Sequence, residues 1–229
     1  MAKFVRVIDT EKCMGCRACV AACQVENFSD GDSQWNVMIE HEVGSYPNTS
    51  KAFVTMGCMH CEDAPCKSVC DEIGAHAISK NEYGVVLIDY EKCIGCGYCA
   101  PACPYGVPKL PEKTNNSLYP TEKTAYEKIS VDEKSPLHVK QENKAQKCTF
   151  CWHRLEKAIK AGKIDRIGKD PEFTPACDVV CSVNARAFGD IDDPSSEVSK
   201  LIGEKKAAQL KKEYGTGPQV FYVLEGGDY

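Results

Sequence analysis

Short apolar runs alternate with longer polar stretches along this chain, and three of the apolar runs predict strands. Phe4–Ile8 and Val85–Ile88 are rich in the β-branched and aromatic residues that favour strands. Val220–Leu224 has the same character and predicts a strand or an extended docking segment. Between them, Lys109–Gln146 is dominated by polar residues and prolines, and it predicts a long loop that projects from the protein.

A helical pattern appears late in the chain. Asp193-Pro194 predicts its start, because proline is preorganised for the first turn of a helix. Val198, Leu201 and Ile202 then fall on one helical face. Gly215–Pro218 is expected to end the segment. Together with the strands, this pattern predicts an α+β fold.

Two parts of the chain repeat. Ile8–Cys16 recurs with small changes as Ile88–Cys96, and both copies follow a predicted strand. A second similarity relates Ala75–Ile78 to Ala185–Phe188, which share a small–charged–small–apolar order. The two kinds of segment alternate along the chain, so we expect two related modules.

Cysteine is the most informative part of the composition, since sixteen of the 229 residues are cysteines. They form four quartets with none left over. The first is Cys13, Cys16, Cys19 and Cys23; the second is Cys58, Cys61, Cys66 and Cys70; the third is Cys93, Cys96, Cys99 and Cys103; the fourth is Cys148, Cys151, Cys177 and Cys181. Disulfides suit small secreted domains, and zinc usually takes two ligands from each of two Cys-x2-Cys pairs. Neither pattern matches these quartets.

The first and third quartets have the C-x2-C-x2-C-x3-C spacing of bacterial ferredoxins. There, three close cysteines bind one [4Fe–4S] cluster and the fourth binds its neighbour. Gly15 and Gly95 allow the loop backbone to approach the cluster closely. The fourth cysteine is expected at the start of a helix. Spacing leaves open whether neighbouring quartets pair, or whether an inner pair is nested inside an outer pair.

Several motifs resemble those of the iron–sulfur subunits of molybdopterin oxidoreductases, which include dimethyl sulfoxide, polysulfide, thiosulfate and arsenate reductases and formate dehydrogenases. The motifs are the quartets, Cys58–Cys66, Cys103–Pro108, Lys147–Cys151 and Phe188–Pro194. The resemblance implies an α+β protein with two nested ferredoxin-like modules, a long polar insertion and a C-terminal extension of a helix and a strand. The implied boundaries are 1–57 with 147–195 for the outer module, 58–108 for the inner module, 109–146 for the insertion and 196–229 for the extension.

The resemblance also implies how the cysteines are shared among four [4Fe–4S] clusters. Cluster 1 takes Cys13, Cys16, Cys19 and Cys181; cluster 2 takes Cys23, Cys148, Cys151 and Cys177; cluster 3 takes Cys58, Cys61, Cys66 and Cys103; cluster 4 takes Cys70, Cys93, Cys96 and Cys99. The first, second and fourth quartets lack the proline that follows the third, but none lacks a ligand.

The expected function is electron transfer in anaerobic respiration, to or from a molybdenum- or tungsten-pterin catalytic subunit. A quinone-linked membrane anchor or a soluble carrier is expected at the other end. A polyferredoxin of a hydrogenase or formate-hydrogenlyase complex is the alternative. No catalytic residue is predicted in this chain, because its cysteines are committed to clusters and no phosphate-binding loop is evident.

Other side chains have candidate supporting roles. His60 and His153 are candidates for hydrogen bonds from the imidazole to sulfur. Cations near the quartets are candidates for offsetting cluster charge: Lys12, Arg17, Lys92 and Lys147. Aromatic residues are candidates for shielding clusters from water: Tyr90, Tyr98, Tyr105, Phe150 and Trp152. Lys109–Gln146 is a candidate arm that contacts the catalytic subunit.

Charge and hydropathy limit the remaining possibilities. The net charge of −5 does not indicate nucleic-acid binding. No stretch approaches the roughly 18–20 apolar residues of a membrane helix. Only twelve residues precede Cys13, and they carry neither an apolar leader core nor a twin-arginine pair. We therefore expect no export signal, and a cytoplasmic protein unless a signal-bearing partner carries it to the periplasm or membrane.

Overall fold

Short strands and short helices alternate in the computed structural model, which describes residues 2–27, 29, 33–110, 125–128 and 144–224. The helices are α1 (Ala18–Asn27), α2 (Pro65–Glu72), α3 (Cys99–Ala102), α4 (Ala125–Lys128), α5 (Trp152–Lys160), α6 (Ala176–Val179) and α7 (Glu197–Glu204). The strands are β1 (Phe4–Asp9), β2 (Val37–Ser45), β3 (Asn48–Met56), β4 (Ile78–Lys80), β5 (Val86–Ile88), β6 (Arg186–Asp190), β7 (Ala208–Gln209) and β8 (Val220–Val223). This composition confirms the predicted α+β class.

The main sheet joins distant parts of the chain in the order β6-β1-β8-β7. Strand β1 is buried along its whole length and pairs antiparallel with β6, so that Phe4 faces Asp190. It also pairs parallel with β8, so that Arg6 faces Val220. The predicted strands at Phe4–Ile8 and Val220–Leu224 are therefore confirmed. As a result, the first and fourth cysteine quartets are held at one sheet.

The two faces of β1 have different neighbours, as the period-two geometry of a strand requires. Val5 and Val7 pack in a small core with Val198 of α7. Phe4 and Ile8 belong to the larger core that contains most of the buried cysteines. The central strand thus separates the C-terminal helix from the cysteine-rich side of the protein.

Helix α7 begins later than the sequence predicts. The predicted apolar face is confirmed, since Val198 is buried and Leu201 and Ile202 pack against the same core. The predicted start at Asp193-Pro194 is wrong, because the Ser196 side chain caps the helix and accepts a hydrogen bond from the Ser199 N–H at 3.2 Å. The predicted end at Gly215–Pro218 is also wrong: α7 stops at Glu204, and β7 and a 3-10 turn (Lys212–Tyr214) follow.

Two small antiparallel pairs complete the sheets. Strand β5 confirms the strand predicted at Val85–Ile88 and pairs with β4, with Ile78 facing Ile88. The hairpin of β2 and β3, in which Val37 faces Met56, has no counterpart in the sequence prediction. Only one of the nine residues of β3 is buried, so this strand carries little of the core.

The polar insertion leaves the protein at a narrow neck. Lys109 and Gln146 form an antiparallel bridge with N–H to oxygen distances of 2.9 and 2.7 Å. Most of the predicted loop between them lies outside the described residues, apart from α4 and the segments next to the neck. None of the helices in the described part of the chain is both long and apolar enough to cross a membrane.

Candidate metal centres

Three cavities are each lined by four cysteines. We call them site 1 (Cys13, Cys16, Cys19, Cys181), site 3 (Cys58, Cys61, Cys66, Cys103) and site 4 (Cys70, Cys93, Cys96, Cys99). Their empty volumes are about 370, 340 and 350 Å³. The structure therefore brings together three of the four expected ligand sets, around spaces of nearly equal size.

The remaining four cysteines form site 2 (Cys23, Cys148, Cys151, Cys177), and all four are buried. Burial raises the pKa of the Cys23 thiol well above its ordinary value, and the negative charges of the other three thiolates raise it further. Burial likewise raises the pKa of Cys177 to about 11. Four thiolates packed together without a cation between them would repel one another, so the protein alone favours the thiol form here.

Short helices connect the sites in pairs. Each helix carries the first of two cysteines four residues apart, and the second lies in the same helix or within two residues of its end. The pairs are Cys19 with Cys23, Cys66 with Cys70, Cys99 with Cys103, and Cys177 with Cys181. Residues four apart on a helix lie on one face, about one turn from each other. One helix can therefore contribute a sulfur to each of two adjacent sites.

The position of the fourth cysteine corrects a prediction. It is the third cysteine that lies at the helix start, as Cys19 does on α1 and Cys99 on α3. Cys23 lies in the second half of α1, and Cys103 directly follows α3. The helix begins earlier than expected because the three-residue gap between the third and fourth cysteines is itself one helical turn.

The four sites form a series. Helices α1 and α6 link sites 1 and 2, while α2 and α3 link sites 3 and 4. Between sites 2 and 3, burial raises the pKa of Cys58 to about 12, and the charge of Cys148 contributes to the increase. A Cβ atom at Gly57 would lie 3.7 Å from the Cys148 Cβ, so these two segments are in contact. The order is therefore 1, 2, 3, 4.

The two ends of this series reach the surface. Cys16 in site 1 and Cys96 in site 4 are exposed, whereas the site 2 cysteines are buried. The residues beside them are exposed too, with Met14 at 60% and Ile94 at 67%. Both ends of the series are therefore accessible from the surface.

Comparison with known proteins identifies iron–sulfur domains in this chain. Residues 49–119 and 85–157 each match a family described as a 4Fe-4S dicluster domain, and residues 6–28 match a 4Fe-4S binding domain. A selenate reductase subunit of Mesobacillus selenatarsenatis is 36% identical over 96% of this chain and 72% of its own length. The arsenate respiratory reductase iron–sulfur subunit ArrB of Shewanella sp. is 35% identical over 96% of each chain.

The chain belongs to the iron–sulfur subunits of the molybdopterin oxidoreductases. A further relative, a sulfite dehydrogenase subunit of Allochromatium vinosum, is 35% identical over 97% of this chain and 83% of its own length. The predicted family is thus confirmed, as is the predicted role as an electron-transfer subunit that uses [4Fe–4S] clusters. The sequence motifs favour this family over the polyferredoxin alternative, and the relatives support that choice.

Backbone N–H groups provide most of the described hydrogen bonds to sulfur in this iron–sulfur subunit. The donors are His60 to Cys58 at 3.4 Å, Ala77 to Cys70 at 3.3 Å, Phe150 to Cys148 at 3.4 Å and Ala185 to Cys181 at 3.2 Å. Such bonds stabilise a negatively charged sulfur. Together they place a fixed N–H donor in each of the four sites, and in the loop of site 1 the Gly15 backbone also bonds the Cys13 sulfur.

Within the described part of the chain, the His60 imidazole does not bond a cysteine sulfur as the sequence suggests. The His60 ring is fully buried, and its Nδ1 accepts a hydrogen bond from the Val86 N–H at 3.0 Å. Its Nε2 has no partner among the described residues. The His153 Nε2 lies 2.6 Å from a carboxylate oxygen of Glu26. The histidine beside Cys61 therefore contacts sulfur through its backbone.

Arg17 lines site 1 from the surface, but of the four predicted cations Lys147 is the one buried under a site. It is buried and lines site 3, and its Nζ donates to the carbonyl oxygens of Val86 and Cys148. Arg17, Lys12 and Lys92 instead form surface ion pairs with Glu40, Asp9 and Asp89.

Two buried arginines have no counterpart in the sequence prediction. Arg6 and Arg186 both pair with Asp178, and both approach the sulfur of Cys177. Burial alone lowers the pKa of Arg6, but the charges of Asp178 and Cys177 outweigh that effect and raise it overall. One available signal was a charged residue at the centre of the otherwise apolar Phe4–Ile8 run.

The aromatic candidates separate into buried and exposed groups. Phe150 is fully buried against the His60 ring, with 3.7 Å between ring centroids. Tyr105 is buried and lines site 3, while its hydroxyl contacts Thr216 at 3.0 Å. Tyr98, by contrast, is 58% exposed. The first two are therefore placed to exclude water, and Tyr98 is not.

These residues fit [4Fe–4S] clusters. Four cysteine sulfurs per site are the ligand set that such clusters use. The walls of sites 1, 3 and 4 are largely apolar, and all sixteen cysteines are free thiols rather than disulfides. Buried Arg6, Arg186 and Lys147 supply positive charge where clustered thiolates would otherwise repel one another.

Proposed function

We propose that this subunit holds four [4Fe–4S] clusters, one in each of sites 1 to 4, and conducts electrons along them. The observation that carries the proposal is the arrangement of all sixteen cysteines into four sets that are joined in series by shared helices. Each cluster supplies one-electron chemistry when bound. The protein's part is to hold the clusters in order, to exclude water from the middle of the series and to leave the ends accessible.

The two-module organisation is part of the proposal. Strand β1 precedes the first quartet and pairs with β6 after the fourth, which supports an outer module of residues 1–57 and 147–195. Strand β5 precedes the third quartet and pairs with β4 after the second, which supports an inner module of residues 58–108. The neck between Lys109 and Gln146 supports treating 109–146 as an insertion, and 196–229 forms the extension.

The partners are proposed from the relatives' names. Those relatives are subunits of selenate reductase, arsenate respiratory reductase and sulfite dehydrogenase. We therefore propose a molybdenum- or tungsten-pterin catalytic subunit at one exposed end. A relative named as a menaquinone reductase subunit supports a quinone-linked membrane anchor at the other end, with a soluble carrier as the alternative. The chemistry on the terminal substrate would then belong to the partner, and this chain would have no catalytic site.

A reductive titration of the purified full-length subunit tests the proposal. The chain should take up about four electrons, one for each cluster. It should turn over no selenate, arsenate or sulfite unless a catalytic subunit is added. Uptake of about two electrons, or sustained turnover by the subunit alone, would contradict the proposed function.

A further inference from the structure

A charged network lies directly beneath site 2. The Arg6 Nε and Nη2 donate to the Asp178 carboxylate at 2.9 and 2.7 Å, and the Arg186 Nε donates to the same carboxylate at 2.9 Å. The Nη2 of each arginine also lies near one ligand-type sulfur. The distances from Nη2 to the Cys177 Sγ are 3.3 Å for Arg6 and 3.5 Å for Arg186.

The three charged side chains are buried, so water does not weaken their electrostatic effect on nearby groups. The side chains of Arg6, Arg186 and Asp178 are only 4%, 3% and 2% exposed. Two positive charges and one negative charge leave a net charge of +1 in a region that water does not screen. Ordinary stability does not account for the arrangement, since a buried ion pair or triad is often no more stable than apolar residues of similar volume.

The two arginines face different sets of cysteines. The positive charge of Arg6 interacts electrostatically with the sulfurs of Cys177, Cys148 and Cys23, which all belong to site 2. The positive charge of Arg186 interacts electrostatically with the sulfur of Cys177 and also with those of Cys19 and Cys13 in site 1. Site 2 therefore faces both cations, site 1 faces one, and site 3 faces a separate cation, Lys147.

We propose that the Arg6–Asp178–Arg186 network sets the reduction potential of the cluster at site 2, and more weakly that at site 1, by making each easier to reduce. This inference rests on the proposed function. Reduction adds one electron and so one negative charge. A nearby buried positive charge, together with N–H donors to the ligand sulfur, stabilises the reduced form more than the oxidised form. The arginines are positioning residues that act through Cys177 and the local field.

Redox titration followed by electron paramagnetic resonance, on the full chain assembled with its partners, tests the inference. Arg186→Gln removes a positive charge and should shift the site 2 potential to more negative values. A shift of about 59 mV corresponds to a tenfold change in the one-electron equilibrium, and we expect at least that. Asp178→Asn removes the negative charge and should shift the same potential to more positive values. Arg186→Lys should restore most of the original potential.

Arg166→Gln is the matched control, because Arg166 also pairs with an aspartate, Asp170, but is 56% exposed. It should leave every potential unchanged. Shifts of Arg186→Gln and Asp178→Asn in the same direction, or no shift in either, would overturn the inference. If Arg186→Gln fails to fold, Asp178→Asn decides alone: a positive shift supports the inference and any other result overturns it. Iron counted in the same samples separates the two proposals, since a low count in the unmodified chain contradicts the proposed function instead.

Discussion

The proposed outer and inner modules use the same ligand loop but receive positive charge from different residues. Gly15 and Gly95 occupy equivalent loop positions, and both have φ of +71°. Eighty residues separate the repeats, so buried Arg6 of β1 corresponds to Val86 of β5. The inner module instead receives Lys147, which donates to the Val86 carbonyl oxygen from outside the repeat.

The second outer arginine shows the same contrast. Arg186 corresponds to His76 in the related segment, and His76 is exposed and pairs with Asp71 at 3.0 Å. The loops that wrap a cluster are thus kept alike, while the charges beneath them differ. The geometry of the ligand loop and the charge around it can therefore vary independently in this fold, and each can be tested without changing the other.

The largest expected effect is the loss of a whole cluster after a cysteine ligand is replaced. This loss tests whether the fourth cysteine of a quartet binds the neighbouring cluster in both proposed modules. Cys23→Ser and Cys148→Ser should remove the same paramagnetic signal, because both residues belong to site 2. Cys13→Ser should remove a different signal, from site 1. In the inner module, Cys70→Ser should match Cys93→Ser in the same way. A common loss in the Cys13 and Cys23 variants would show that neighbouring cysteines share one cluster instead.

The next effect is on stability, and it separates loop strain from packing. Gly15→Ala should destabilise the protein more than Gly106→Ala, because a Cβ at Gly15 would lie 2.5 Å from the Phe53 ring. Gly106 also has a positive φ, of +62°, but no described atom within 4 Å of its Cβ position. Left-handed strain alone costs roughly 1–2 kcal/mol.

Thermal loss of the visible cluster absorbance measures this comparison. The midpoint of the Gly106 variant measures the effect of backbone strain alone. The midpoint of the Gly15 variant measures backbone strain together with displacement of the β2–β3 hairpin. Equal midpoints for the two variants would mean that Phe53 moves aside freely and that the hairpin does not brace the site 1 loop.

Sequence reasoning succeeded where the signal is local. The quartets, the strands at Phe4–Ile8 and Val85–Ile88 and the apolar face of α7 each depend on residues close in the chain. It failed where partners are remote: Arg6 and Asp178 are 172 positions apart, so nothing near either residue indicates the pair. The β2–β3 hairpin was missed for another reason: only one of the nine residues of β3 is buried, so the strand has a weak apolar pattern.

A smaller effect is expected from the cation of the inner module. Lys147→Met should shift the site 3 potential to more negative values, since Lys147 lines that site and its charge is felt by Cys58 and Cys66. The shift should be smaller than that of Arg186→Gln, because the described Lys147 hydrogen bonds go to carbonyl oxygens rather than to sulfur. Redox titration checks it, with exposed Lys157→Met as the control. A shift at site 4 without one at site 3 would refute the assignment.

The smallest effect on the clusters is expected from the insertion, which we propose contacts the catalytic subunit. Replacing residues 111–143 with a short Gly/Ser linker keeps the Lys109–Gln146 bridge, so all clusters should remain. Assembly should weaken, because Leu118, Tyr119, Tyr126, Ile129, Val131 and Leu137 supply candidate anchors. Titration against the purified catalytic subunit measures this. Unchanged affinity would mean that the insertion is not part of the interface.

The central claim, that the sixteen cysteines hold four [4Fe–4S] clusters, is tested most directly by counting metal. Iron and acid-labile sulfide should be measured on the anaerobically purified full-length chain, with zinc measured in the same sample. The account predicts about sixteen iron and about sixteen sulfide per chain, at four of each per cluster. Stoichiometric zinc, or an iron content near half that value in fully folded protein, would contradict it.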